Sequence, residues 1–207
     1  DIDVHQADPD LYVWKQMTPQ LFAPAAAPEH CYMKAIYSDG LIHLLVNNGF
    51  NTQLYQSADG AVWSAMEAPV GLPTPCQVRD IVQCGNTLYY VADSKLYTST
   101  DLIHWTETDF SEHDYALLNM LVAFDGKAWC VLQERNTETL MLGIVVGEDI
   151  QPMRTVAGVA DGKLPKNFPV SDFAALSFES SSERPRAMVV GGRTMDGTAV
   201  NTRWNLE

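Results

Sequence analysis

The chain has 207 residues, 46% of them apolar and 19% charged, enough for a sizeable core and too apolar for a disordered segment. Acidic residues outnumber basic ones 26 to 13, and the resulting net charge of −13 repels a phosphate backbone, which argues against nucleic acid as a partner. No apolar run approaches the roughly 20 residues of a membrane helix, so a transmembrane span is excluded.

The first feature in chain order is Asp8-Pro9-Asp10-Leu11-Tyr12-Val13-Trp14, an Asp-to-Trp interval that returns twice, and a third time with Met in place of Trp. We take residues 1–25 as a partial unit around Asp10 and Trp14. The next unit, 26–70, opens with two alternating apolar runs, Met33 to Ser38 and Leu41 to Val46, separated by Asp39-Gly40. Asp-Gly between β-rich runs predicts a hairpin, because Gly takes the positive φ of a tight turn. The polar loop Asn47-Asn48-Gly49-Phe50-Asn51 follows, then a third strand ending in Ser57-Ala58-Asp59-Gly60-Ala61-Val62-Trp63.

Residues 71–110 repeat the plan. Val78 to Val91 aligns with Met33 to Val46 at a shift of 45, and Ser99-Thr100-Asp101-Leu102-Ile103-His104-Trp105 restates the S-x-D-x-x-x-W motif. Residues 111–156 carry a third copy: Met120 to Val131 around Asp125-Gly126, then Gly147-Glu148-Asp149-Ile150-Gln151-Pro152-Met153, with Met153 at the Trp position. A looser copy occupies 157–207 and ends in a strand over 201–207.

Each unit reads as four antiparallel strands, with no helical periodicity between them. Units of this length predict an all-β fold, a β-propeller of four-stranded blades. Asp10, Asp59, Asp101 and Asp149 are read as turn residues whose carboxylates accept backbone N–H groups. Trp14, Trp63 and Trp105 are read as apolar filler between blades. A third strand occurs at both ends, so the register predicts an incomplete ring, part of a larger propeller completed by further residues or by another chain.

The motifs Ser57 to Trp63 and Ser99 to Trp105 resemble the Asp-box (BNR) repeat of sialidase-like propellers, with an interval one residue shorter. Gly191-Gly192 resembles the kelch pattern. The stretches D-P-D-L-Y-V-W and Y-Q-S-A-D-G-A-V-W resemble the propeller region of lipoproteins from Bacteroides and relatives. These resemblances imply the fold and, through the lipoproteins, an exported protein at the cell surface or in the periplasm. They carry no activity over.

Chemistry is sparsely marked. No F/Y-R-I-P motif accompanies the arginines, as a sialidase would require. There is no G-x-S-x-G elbow, no P-loop and no G-x-G-x-x-G, so no cofactor is expected. The histidines do not pair at ligand spacing and no CxxC occurs, so no metal site is expected. The four cysteines read as small buried hydrophobes.

The reading that remains is a non-catalytic module that binds a glycan or protein ligand on the loop face. Asn47, Asn48, Phe50, His113, Asp114, Arg135 and Arg193 are the candidate ligand residues. A glycan-processing enzyme is the alternative. An enzyme predicts charged side chains converging at the mouth of a central channel. A binding module predicts an aromatic or flat polar face without perturbed titratable groups.

Overall fold

The computed structural model of the protein describes residues 31–153, 163–178 and 186–206. Strands β1 (Tyr32–Ser38), β2 (Leu41–Asn47), β3 (Thr52–Ser57) and β4 (Ser64–Ala65) form the first sheet, paired in sequence order. Strands β5 (Val82–Cys84), β6 (Thr87–Ala92), β7 (Lys95–Ser99) and β8 (Thr106–Asp109) form the second. The third contains β9 (Tyr115–Phe124), β10 (Lys127–Glu134), β11 (Leu140–Val146) and β12 (Asp149–Pro152). The fourth contains β13 (Ala174–Phe178), β14 (Arg186–Val190) and β15 (Arg203–Leu206). All pairings are antiparallel. The first strands of all four sheets line one central cavity, which is the arrangement of a four-bladed β-propeller. The strand register predicts a larger ring; the structure corrects this, because among the described residues four inner strands meet around this cavity.

Local chemistry sets the blade shape. At the β1–β2 and β9–β10 hairpins both turn residues have positive φ, Asp39 at 53° with Gly40 at 78°, and Asp125 at 51° with Gly126 at 68°. That is the two-residue turn whose twist matches the strands it joins. The register places Ser38 opposite Leu41 and Ile42 opposite Ser57, so the Asp39-Gly40 turn and the Asp59 turn share one face. Tyr32 lies opposite Asn47, and Asn47 opposite Thr52, so the start of β1 and the loop after β2 share the other.

Two of the expected Asp turns have matching contacts. The Asp59 Oδ1 accepts the N–H groups of Ala61 (2.8 Å) and Val62 (3.1 Å), while Ser57 Oγ accepts that of Gly60. The Asp101 Oδ1 accepts those of Ile103 (2.9 Å) and His104 (2.7 Å), while Ser99 Oγ accepts that of Leu102. The indoles of Trp63 and Trp105 donate to Gly60 and Leu102 carbonyls. Trp105 is buried among first-blade and second-blade residues, whereas Trp63 is half-buried. Asp149 departs from the expectation. It opens β12, and among the described residues its carboxylate accepts only the adjacent N–H of Ile150. The turn before it is made by Gly147 at φ 64° and needs no side-chain acceptor. Asp10 and Trp14 lie outside the described residues.

The core is divided between blades. One cluster joins Ile36, Leu45 and Leu54 to Val78, Ile81 and Leu88. A second joins Val91 and Leu96 to Leu117, Cys130 and Leu132. A third joins Val122, Trp129 and Val131 to Val170, Ala187 and Val189. Each fully buried aliphatic side chain contributes about 1.5–3 kcal/mol.

One local departure shapes the site. Val78 to Asp80, aligned with the start of β1, does not enter the strand. The N–H groups of Asp80 and Ile81 bond the carbonyls of Gln77 and Val78, winding a 3-10 turn that delays the inner strand to Val82. Val78 and Ile81 anchor the turn in the core, leaving Arg79 and Asp80 at the channel.

Candidate functional site

The central cavity has a volume of about 480 Å³ and is lined in part by Lys34, Arg79 and Asp80. Arg79 is the hub. Its guanidinium donates to Gln77 Oε1 at 3.1 Å and to Asp172, and its Nε lies 3.6 Å from Asp80 Oδ1. The guanidinium carbon also stands 4.7 Å above the ring centre of Tyr32, a cation–π distance. One side chain therefore joins the first, second and fourth blades.

The fourth blade presents its carboxylate through a closely tied loop. Asp172 has φ 56°, a left-handed conformation that Asp tolerates better than most residues. Just before it, Val170 N–H and Ser171 N–H bond the Arg193 carbonyl, and Arg193 N–H bonds the Ser171 carbonyl. Arg193 then returns its Nε to Asp172 Oδ2 at 3.3 Å, and its Nη1 donates to the Gly197 carbonyl. Gly192 makes the approach possible, because a Cβ there would lie 2.7 Å from both Pro169 Cβ and the Ser171 oxygen.

Burial sets the protonation chemistry. It is the largest influence on Asp80 and pushes its carboxyl above the ordinary range, against the pull of Arg79. Burial also lowers the Lys34 ammonium, with Asp80 acting in the opposite direction. Lys34 Nζ reaches the Arg79 carbonyl at 3.4 Å. Behind them Asn119, 6% exposed, donates Nδ2 to the Val170 carbonyl, while its Oδ1 has no partner among the described residues. Perturbed acids and bases in one cleft mark candidate functional sites.

Of the sequence-derived candidates, Arg193 belongs to this cluster. Asn47 and Asn48 are engaged within their own loop: Asn47 Nδ2 donates to Thr52 Oγ1 and its Oδ1 accepts Gly49 N–H, while Asn48 Oδ1 accepts the N–H groups of Phe50 and Asn51. Phe50 is 80% exposed at the tip. His113, Asp114 and Arg135 meet on the third blade. Arg135 donates from its backbone to the Asp114 carbonyl and from Nε to the His113 carbonyl, and the His113 ring lies between Phe110 and Tyr115. Among the described residues no group of three or more His, Cys, Asp or Glu is placed to hold a metal ion, and no helix is long and apolar enough to cross a membrane.

Lys34, Arg79, Asp80 and Asp172 were not singled out from sequence. One signal was present: Lys34 and Arg79 occupy the same place in two aligned units, 45 residues apart, each a cation in an otherwise apolar run. Asp172 had no such mark, because only tertiary structure brings it to Arg79.

The fold is similar to an α-L-arabinofuranosidase from Clostridium thermocellum, at 10% identity over 87% of this chain and 69% of that one, with a TM-score of 0.44. It is also similar to a structure described as a complex of BT0996 and RGII, at 8% identity over 85% of this chain and 70% of that one, with a TM-score of 0.36. No curated protein matches the sequence. The DUF6242 beta propeller domain matches residues 8–207, and the chain belongs to that family.

Proposed function

We propose that this propeller is an exported, non-catalytic module that binds a glycan at the mouth of its central channel. The observation that carries the reading is the convergence of Lys34, Arg79 and Asp80 on one open cavity, with Asp172 and Arg193 completing the cluster. Hydroxyl groups need both donors and acceptors, and this rim supplies guanidinium, ammonium and carboxylate together. Export follows from the lipoprotein resemblance.

Converging charge with perturbed protonation is also what an enzyme predicts, so the pairing pattern bears on the choice. Glycoside hydrolysis uses two carboxylates facing the scissile bond, one of them free to act on water or on the sugar. Here Asp80 and Asp172 are both held by Arg79. That favours a rim that orients a ligand over one that cleaves it. The test is a glycan array of host and plant structures, probed with the intact protein and with Arg79→Ala. Binding by the wild type and a loss of about tenfold in the variant are expected; an array without any bound glycan overturns the reading.

One observation favours the second reading, glycan processing. Asp80 faces the cavity with a raised carboxyl pKa, the condition a proton donor needs. Incubation of array-positive glycans with wild type and Asp80→Asn, followed by mass spectrometry, decides it. Shortened products from the wild type alone would establish catalysis.

A further inference from the structure

A second cavity of about 440 Å³ opens beside the channel, between the first and second blades. Tyr32, Gly49, Pro73 and Pro75 give it aromatic and apolar walls, and Gln77 and Asp93 give it an amide and a carboxylate. It lies on the face that carries Tyr32 and the loop after β2, opposite the Asp turns.

Arg79 connects the two cavities through its contacts. It lines the central cavity, while its partners Tyr32 and Gln77 line the second. The guanidinium lies over the Tyr32 ring and donates to Gln77 Oε1 at 3.1 Å. A ligand held by Arg79 at the channel mouth therefore has a neighbouring recess at hand, lined by two residues that Arg79 contacts. Its lining suits a sugar ring, whose C–H faces pack on aromatic and proline surfaces while its edge hydroxyls bond amides and carboxylates. The Gln77 backbone is tied down by its N–H, which bonds the buried Tyr90 hydroxyl at 3.1 Å, and its side-chain oxygen is held by Arg79.

We propose that the ligand is an oligosaccharide of at least two units, with one unit at the channel mouth and the next in the recess beside Tyr32. This rests on the glycan reading above. It assigns Tyr32 and Gln77 to chain-length selectivity and Arg79 to both positions.

The test is an array of size-graded oligosaccharides, from one to six units, drawn from plant and host backbones. It is probed with wild type, Tyr32→Leu, Gln77→Ala and Arg79→Ala, each checked by thermal melting. Gln77 is exposed, so its variant keeps the test open if Tyr32→Leu fails to fold. For wild type, binding is expected to strengthen about tenfold or more between one and two or three units. Tyr32→Leu and Gln77→Ala are expected to lose most of that gain and so flatten the length dependence, and Arg79→Ala to lose binding at every length. Binding that is equal at every length, or a length dependence unchanged in both recess variants, overturns the inference and leaves the glycan reading standing. Absence of binding to every saccharide overturns both.

Discussion

Arg79 and Asp172, 93 positions apart in the chain, form an ion pair that ties the second blade to the fourth at the channel mouth. The two side chains are 39% and 37% exposed, so solvent and salt screen the pair. A double-mutant cycle of Arg79→Ala and Asp172→Ala is expected to give a coupling of about 0.5–1 kcal/mol. The coupling should shrink in about 0.5 M salt. Arg79→Lys should not restore it, because an ammonium cannot serve two carboxylates, an amide and an aromatic face in one plane. Equilibrium urea unfolding measures each term.

Gly192 holds the Asp172 loop against Arg193. A Cβ at this position meets backbone and proline at 2.7 Å, and φ is 109°. Gly192→Ala should therefore cost about 2 kcal/mol or more. Gly197, at φ 81° with nothing within 4 Å of a Cβ, is the control. Gly197→Ala should cost about 1 kcal/mol. Equal urea midpoints for the two variants would contradict the crowding argument.

The Asp turn of the second blade should respond to pH. The Asp101 carboxyl is held well below its usual range, first by its His104 side-chain partner and then by backbone N–H groups. His104 is raised by the same bond, 2.8 Å from Nδ1 to Oδ2. The stabilisation from a raised histidine is fully present below its unfolded pKa and is lost as pH rises through the folded one. That from a depressed aspartate is present above its unfolded pKa and fades as pH falls toward the folded one. The difference in Tm between wild type and His104→Ala should be widest between about pH 4 and 6.5 and narrow above neutrality.

The cysteines should separate by reactivity. Cys76 and Cys130 have no exposed surface, and burial pushes both thiols up to about 12, whereas Cys31 is exposed and Cys84 half-buried. In native protein Cys31 should react first with a thiol reagent, and Cys76 and Cys130 should react only after unfolding. Mass spectrometry of labelled peptides reads the order.

The blade plan was legible because it is local. Asp39-Gly40, Asp125-Gly126 and the Ser57 and Ser99 turns act within a few residues of themselves, so their chemistry appears in consecutive letters. Asp149 misled because a Gly turn can reproduce the spacing without needing the carboxylate. The loop amides Asn47 and Asn48 looked available for a ligand, but they are the acceptors and donors that close their own loop. The channel cluster was hidden for the opposite reason. Lys34, Arg79, Asp80, Asp172 and Arg193 come from three blades, and the 3-10 turn that turns Arg79 toward the channel interrupts the very alignment that revealed the repeat.

The shared cores also bear on how firmly the site is held. Among the described residues, the second and third blades pack into clusters on both sides, whereas the first shares a cluster only with the second and the fourth only with the third. Local opening is easiest where a blade shares buried apolar contacts with one neighbour and not two. Asp172 and Arg193 belong to such a blade. A ligand that bridges Arg79 and Asp172 should therefore act as a clasp on the fourth blade, slowing amide hydrogen exchange in β13 and β14 more than in β6 or β10.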